Sequence, residues 1–160
     1  MEERQFRIAM GKFATGVNVI ATEVEGEVHG MTANAFMSVS LDPKLIVISI
    51  GENAAMLNKI RQSKKFSVNV LEEKQQKESM IFSGQIESEE KIVFDELAGV
   101  PVLPNTLAQI SCEVTNEHVE GDHSLFIGKV IDIKLNEGEP LIFSNGKYRK
   151  LAEQRVGTST

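Results

Sequence analysis

The stretch Val17-Asn18-Val19-Ile20-Ala21-Thr22-Glu23-Val24-Glu25-Gly26-Glu27-Val28-His29-Gly30-Met31-Thr32 decides the fold. Its first half, Val17 to Val24, is rich in β-branched residues, which pack well on a pleated surface. Glu25-Gly26 supplies a turn, and a second strand follows near Val28 to Thr32. The segment reads as a β-hairpin, and hairpins set the pattern for most of the chain. Leu45-Ile46-Val47-Ile48-Ser49-Ile50, entered through Asp42-Pro43, is a further strand whose continuous apolarity predicts burial on both faces. Phe66 to Leu71 alternates as another. Two long strands, about Ala108 to His118 and Ser124 to Leu135, come later, with Ile110, Cys112 and Val114 on one face of the first and Ile131, Ile133 and Leu135 on one face of the second. Leu141-Ile142-Phe143 follows Pro140, and Asn145-Gly146 is a strong signal for a type I′ hairpin turn.

Helices fill the intervals. Residues 3–14 place Phe6, Ala9, Met10 and Phe13 at helical spacing, and Thr15-Gly16 ends the run. Gly51-Glu52-Asn53 opens a helix reaching about Gln62, with Asn53 as its N-cap and Met56, Leu57 and Ile60 on one face. A polar helix covers about Glu73 to Phe82 and closes at Ser83-Gly84. Gln85 to Asn105 is charged and then punctuated by Gly and Pro, and reads as a surface excursion. No Gly-x-Gly-x-x-Gly turn follows a strand, which argues against a Rossmann domain. The expected fold is mainly β with peripheral helices, an antiparallel barrel of about six or seven strands in one domain over residues 1–151, followed by a polar tail, 152–160, that frays.

Composition narrows the function. A formal charge of −6 disfavours non-specific nucleic-acid binding, which calls for a basic face. Cys112 is the only cysteine, so no internal disulfide forms, and His29, His118 and His123 are scattered without zinc spacing. Met-Glu-Glu-Arg-Gln-Phe lacks the basic start and apolar run of a signal peptide, and the apolar run 45–50 is too short to span a bilayer. A cytoplasmic protein is expected.

Three segments carry candidate chemistry. Gly30 to Ser40 combines small side chains, which let a backbone approach a flat ligand, with donors at Thr32, Asn34, Ser38 and Ser40; the same composition also suits a connection that satisfies only its own backbone. Ser49-Ile50-Gly51-Glu52-Asn53 leads into a helix N-terminus, a ready anion site with Lys59 less than two turns on, or an ordinary capped helix. Gly121-Asp122-His123 lies between the longest strands, where a histidine either contacts a nicotinamide or sits as a solvated turn residue. Cys112, on an inward strand face, suits a core better than a nucleophile.

These segments also carry a resemblance. Phe13-Ala14-Thr15-Gly16-Val17, Gly30-Met31-Thr32-Ala33-Asn34-Ala35-Phe36, Ser38-Val39-Ser40 before Pro43, and Gly121-Asp122-His123 with Gly128 occur in the order of the flavin reductase-like family, from about Phe6 to Leu151. The chain most resembles the reductase components of two-component flavin monooxygenases, bacterial phenol hydroxylase in particular. The resemblance implies an FMN-binding split β-barrel that works as a homodimer, reduces FAD, FMN or riboflavin with NADH, and hands reduced flavin to a partner oxygenase. It implies that Thr32, Ala33, Asn34 and Ala35 lie along the flavin ring and Ser38 and Ser40 near its ribityl and phosphate end. It likewise implies Ser49, Ile50 and Gly51 near the ring or ribityl chain, Asn53, Ala55, Met56 and Lys59 near the phosphates, and Ser83 and Gly84 at the edge. His123 and Tyr148 match pyridine-nucleotide contacts. Lys44 departs from the family, where many members carry a second proline, and bears on the stiffness of that loop. Two other readings keep the barrel: an oxidase of the pyridoxamine phosphate type, which gathers cations around a substrate phosphate, whereas Arg61, Lys64 and Lys65 cluster away from the flavin-like motif in sequence, and a non-catalytic flavin- or haem-binding module.

Overall fold

A computed structural model describes residues 1–154, so residues 155–160 of the expected tail lie outside the described residues. The order is α1 (Glu3–Gly11), β1 (Thr15–Gly16), β2 (Asn18–Val24), β3 (Glu27–Ala33), β4 (Phe36–Leu41), β5 (Lys44–Gly51), α2 (Ala55–Ser63) and β6 (Lys65–Val70). A 3-10 turn at Glu73–Gln75 leads into α3 (Gln76–Phe82), then β7 (Asp95–Leu97), β8 (Val100–Val102), β9 (Ala108–Glu120), β10 (His123–Leu135), β11 (Ile142–Ser144) and β12 (Lys147–Arg149). The hairpin that opens the sequence is β2 and β3, paired from Asn18↔Ala33 to Val24↔Glu27 around Glu25 and Gly26, both at positive φ.

The main sheet has seven strands in the order β3-β2-β6-β9-β10-β5-β4, antiparallel throughout. Each strand sends a side chain to one cluster: Ile20, Phe66, Val68, Cys112, Phe126, Ile46, Ile48 and Ile50 are buried there, with Met31, Ala33 and Phe36 packed against them. A flat sheet cannot bring its first and last strands to one core, so this one curls into a barrel. Helix α2 adds Met56, Leu57 and Ile60 to the same cluster. The two edge strands, β3 and β4, are consecutive in the chain and separated only by Asn34 and Ala35. The barrel is therefore split along a seam that begins at a two-residue corner.

Four expectations need correction. Strand β5 is not buried on both faces: Ile46, Ile48 and Ile50 are buried, but Leu45, Val47 and Ser49 are half-exposed. The strands covered on both faces are β2 and β6, because a second cluster of Val17, Val19, Leu71, Leu103 and Leu141 covers their outer side. The surface excursion over 85–105 is an excursion only in part. Val100, Val102 and Leu103 are buried and form a strap over the outer face of β6, fixed by polar side chains of that face. Ser67 Oγ donates to the Pro101 carbonyl at 2.6 Å, and Asn69 takes the Leu103 N–H on Oδ1 at 2.9 Å while its Nδ2 donates to the Val19 carbonyl at 2.9 Å. Residues Phe36 to Leu41 form a strand rather than an irregular connection, with a register shift between Ser38 and Ser40 that marks a bulge. Helix α1 stops at Gly11 and buries none of its residues: its apolar side, with Phe6, Met10 and, just beyond, Phe13, is exposed.

Cys112 faces the barrel interior, fully buried, and burial pushes its thiol up to about 12. Opposite it, Gly128 leaves no room for a side chain: a Cβ there would stand 2.6 Å from the Phe66 ring and 2.9 Å from the Cys112 Cβ. Neither neighbour is the far end of a flexible chain, so Gly128→Ala should cost about 1–3 kcal/mol through overpacking. The check is urea unfolding, where the midpoint should fall at an unchanged m-value; an unchanged midpoint would mean that the barrel interior yields easily.

Candidate active site

The seam between β3 and β4 opens at Asn34, and Thr32, Ala33, Ser83, Tyr148 and His123 border the clefts on its two sides. On one side, Thr32 Oγ1 donates to the Ser79 carbonyl of α3 at 2.7 Å, and Ser79 Oγ shares a 2.7 Å hydrogen bond with the Tyr148 hydroxyl. The Tyr148 ring packs edge-on against Phe143, with centroids 5.3 Å apart. Thr32, Asn34, Ser83, Gln85, Phe143 and Tyr148 border a cleft of about 190 Å³. On the other side, a second cleft of about 480 Å³ runs between Asn34, Phe143 and His123 and the α1 residues Phe6, Arg7 and Met10. Asn34 and Phe143 border both, so a groove leads from Tyr148 past Asn34 to His123.

Local sequence explains this placement. The Asn145-Gly146 turn, at φ +52° and +73°, folds β12 back on β11, and β11 pairs with β1, so Phe143 and Tyr148 face the seam. Gly121, at φ +61°, opens the two-residue turn that brings His123 opposite Gly51 across β10 and β5. Gly30 is demanded by α3: a Cβ there would lie 2.7 Å from the Phe82 ring.

A third hollow, about 360 Å³, lies at the start of α2, where Gly30, Met31, Ala54, Ala55, Met56 and Lys59 meet. Asn53 is not the N-cap. That position belongs to Ala54, whose extended backbone carries no side-chain cap, because the turn closed by Ala54 N–H to the Gly51 carbonyl at 3.0 Å leaves Asn53 one residue too early. The first turn of α2 is therefore uncapped by any side chain, with Lys59 beside it. Ala35, Ser38, Ser40, Ser49, Gly51, Asn53 and Gly84 border none of these three spaces, and Ile50 is buried in the barrel core. Phe6, Arg7, Met10, Ser79, Gln85 and Phe143 border the groove without having been singled out in the sequence; only the helical period of α1 and the turn at Asn145 hint at them. A larger hollow of about 720 Å³ lies elsewhere, between Glu27, Phe82, Phe94 and Lys91, and is lined by none of the site residues expected from the sequence.

The profile of the flavin reductase like domain matches residues 10–152. The chain belongs to the flavin reductase-like family. It is 40% identical over 148 residues to an NADH-dependent flavin reductase of a Rhodococcus species, covering 91% of this chain and 84% of that protein. It is 35% identical over 147 residues to the reductase component of 4-hydroxyphenylacetate 3-monooxygenase of Thermus thermophilus, covering 91% of this chain and 95% of that one. Among solved structures it is similar to the flavin reductase PheA2, at 61% identity and a TM-score of 0.94 over 96% of this chain and 100% of that chain. The split barrel is shared with these flavin reductases.

The residues present suit the flavin of this family. A flavin needs an apolar bed, donors along one ring edge and an anion site for its phosphate. The groove offers the Phe143 ring and the exposed Asn34 carboxamide, and the separate hollow beside it offers the uncapped start of α2. One hydroxyl nearby, Thr15 Oγ1 on the strand paired with Phe143, is buried without a partner among the described residues.

Two carboxylates at the β9–β10 hairpin that bears His123 are held by hydrogen bonds. Arg61 on α2 holds Glu117 on β9 through both carboxylate oxygens, Nη2 to Oε2 at 2.6 Å and Nε to Oε1 at 3.0 Å, and Ser124 Oγ donates to Glu117 at 2.7 Å. The Arg61 hydrogen bonds, then that of Ser124, hold the Glu117 carboxyl below its usual range. Asp122 accepts from His123 Nδ1 at 2.8 Å, and this bond lowers its carboxyl in the same way. A carboxyl lowered by folding stabilises the fold above its ordinary range, and that contribution is lost as pH falls through the lowered value. Acidification from about pH 5 to about pH 3 should therefore destabilise the protein through Glu117. Glu117→Gln, followed by thermal melts across this range, should show a shallower acid loss than the parent; parallel losses would show that the pair is energetically silent.

Proposed function

We propose that this chain is an NADH-dependent flavin reductase that supplies reduced flavin to a separate monooxygenase, with a phenol hydroxylase as the expected partner. The observation that carries this reading is the groove at the barrel seam, where Asn34 stands between the Tyr148–Ser79–Thr32 chain and His123 in a chain of this family. FAD is the flavin assigned, with FMN as an alternate.

NADH supplies a hydride that the flavin accepts, so the cofactors carry the electronic work. The chain's task is to bed two flat rings against each other and to stabilise charge as it develops. Thr32, Ala33, Asn34 and Ala35 form the bed's edge, with the Asn34 amide donating to the ring. The family resemblance assigns Ser38 and Ser40 to the ribityl and phosphate end and Ser49, Ile50 and Gly51 beside it, although none of the five borders the groove or the α2 hollow of the single chain. The N–H groups opening α2 at Ala55 and Met56, with Lys59 and the neighbouring Asn53, receive phosphate. Ser83 and Gly84 close the edge, and His123 and Tyr148 meet the nicotinamide. No general base is needed for hydride transfer, in keeping with a site whose only carboxylate–histidine pair is solvated.

Two further features belong to this reading. The chain works as a homodimer: α1 buries nothing on its own barrel, and Met37, Val39 and Leu41 of the edge strand β4 are exposed, Leu41 at 81%. An edge strand with this composition invites a partner. The location is cytoplasmic; no helix among the described residues is long and apolar enough to cross a membrane. The pyridoxamine phosphate oxidase reading is not favoured, since Arg61 pairs with Glu117 and none of Arg61, Lys64 and Lys65 borders the groove or the α2 hollow.

The decisive experiment is NADH oxidation with FAD, FMN or riboflavin added in turn. Steady turnover is expected; none with any flavin would leave a binding module. NADPH should serve poorly. Glu120 and Asp122 flank the turn that leads into His123 and disfavour a 2′-phosphate, Glu117 being offset by Arg61; Arg149 borders no part of the groove, and Arg7, which does, is held by Glu3 at 2.6 Å. Equal efficiency with the two nucleotides would refute this charge argument. Asn34→Asp should weaken flavin binding by about tenfold, more for the reduced form, by putting a carboxylate beside a ring that becomes anionic. Flavin fluorescence titration in both redox states checks it, and unchanged affinities would place Asn34 outside the site.

A further inference from the structure

We propose that Asp122 is a positioning residue that fixes the tautomer and aim of His123, leaving Nε2 as a hydrogen-bond acceptor for the carboxamide NH2 of the nicotinamide. The inference rests on the proposed role of His123 as a nucleotide contact and assigns to its neighbour a role of its own.

The chemistry follows from one distance. His123 Nδ1 lies 2.8 Å from Asp122 Oδ1. An ionised carboxylate only accepts, so Nδ1 carries the proton, and in the neutral imidazole Nε2 keeps its lone pair. Without that carboxylate the two tautomers compete, and the ring turns freely at an exposed hairpin tip. Nε2 lies beside Gly51, where a Cβ would stand 3.6 Å away in ordinary van der Waals contact, and the His123 side chain borders the cleft it shares with Asn34 and Phe143.

The tip that holds the pair is tied down from three directions. His123 is in register with Gly51 on β5 and with Glu120 on β9. The Glu52 N–H donates to the Asp122 carbonyl at 2.9 Å, fastening the turn to the entrance of α2. Ser124, the residue after His123, is buried and held by Glu117, which Arg61 grips from α2. The backbone under His123 is therefore set by β5, β9 and α2, while the ring's remaining freedoms, its rotation and its tautomer, fall to Asp122. Of the groove's other charged groups, Arg7 stands on α1 across the cleft and already pairs with Glu3.

The test compares Asp122→Asn, Asp122→Glu and His123→Ala in the intact protein, measuring KM for NADH, kcat, flavin affinity and the 15N shifts of the His123 ring. Asp122→Asn is expected to raise KM for NADH about three- to tenfold, with kcat at saturating NADH and flavin affinity unchanged. The 15N shifts should show a protonated Nδ1 in the parent and a mixed or reversed tautomer in Asp122→Asn. Asp122→Glu should recover part of the loss, which a merely structural role for the turn would not predict. An unchanged KM in Asp122→Asn beside a raised KM in His123→Ala overturns the positioning role alone. A silent His123→Ala overturns the nucleotide contact and the positioning role with it.

Discussion

Everything in this protein depends on a sheet whose seven strands must share one core. Ile20 on β2 and Ile48 on β5 belong to the same buried cluster although three strands stand between them in the sheet. That sharing forces the curl, and the curl brings the outermost strands, β3 and β4, to a common corner at Asn34 and Ala35. The edges of a sheet are usually a hazard, with unpaired backbone groups open to any extended chain. Here the edges diverge from a fixed point, and the space between them is the beginning of the groove. The active site is thus a product of closure left incomplete.

A second layer makes the corner rigid. The outer faces of β2 and β6 are covered by the Val100–Leu103 strap and by α3, β11 and β12, so these two strands are buried on both sides. Burying a strand's outer face with polar residues such as Ser67 and Asn69 on it is tolerable only if each finds a partner. They find the backbone of the strap and of β2, which fixes the strap's register as well as its place. The same layer presents Phe143, Ser79 and Tyr148 to the groove. Packing and site share one construction.

Much of this was legible in the residues. Alternation and turn chemistry revealed the β2–β3 and β11–β12 hairpins, the long β9–β10 pair and the antiparallel barrel, because those signals are local. What stayed hidden depends on distant partners. Val100 to Leu103 are apolar, yet they sit among charges, Gly and Pro, and only the outer face of β6 turns them into core. Phe36 to Leu41 alternates, but its Ser residues and its bulge blur the period, and its pairing with β5 becomes visible only in the folded sheet. Asn53 offered a good capping side chain and lost the position to Ala54 through the geometry of a single turn. The groove residues of α1 were invisible as such, since a helix that buries nothing on its own barrel signals only an apolar side in need of a neighbour. The order of short motifs carried the family where spacing alone left several chemistries open.

The placement of Cys112 has a consequence for how long such an enzyme survives its own chemistry. Free reduced flavin reacts with dioxygen, and the peroxide it yields attacks thiolates, carrying them to sulfenic acid and beyond. The only sulfhydryl of this chain lies inside the barrel between Phe66 and Gly128, wholly out of solvent, with its proton held to about 12. At neutral pH the nucleophilic form is vanishingly scarce and has no path to the oxidant. With the proposed activity, the one thiol of this chain is thereby kept away from the peroxide that reduced flavin forms.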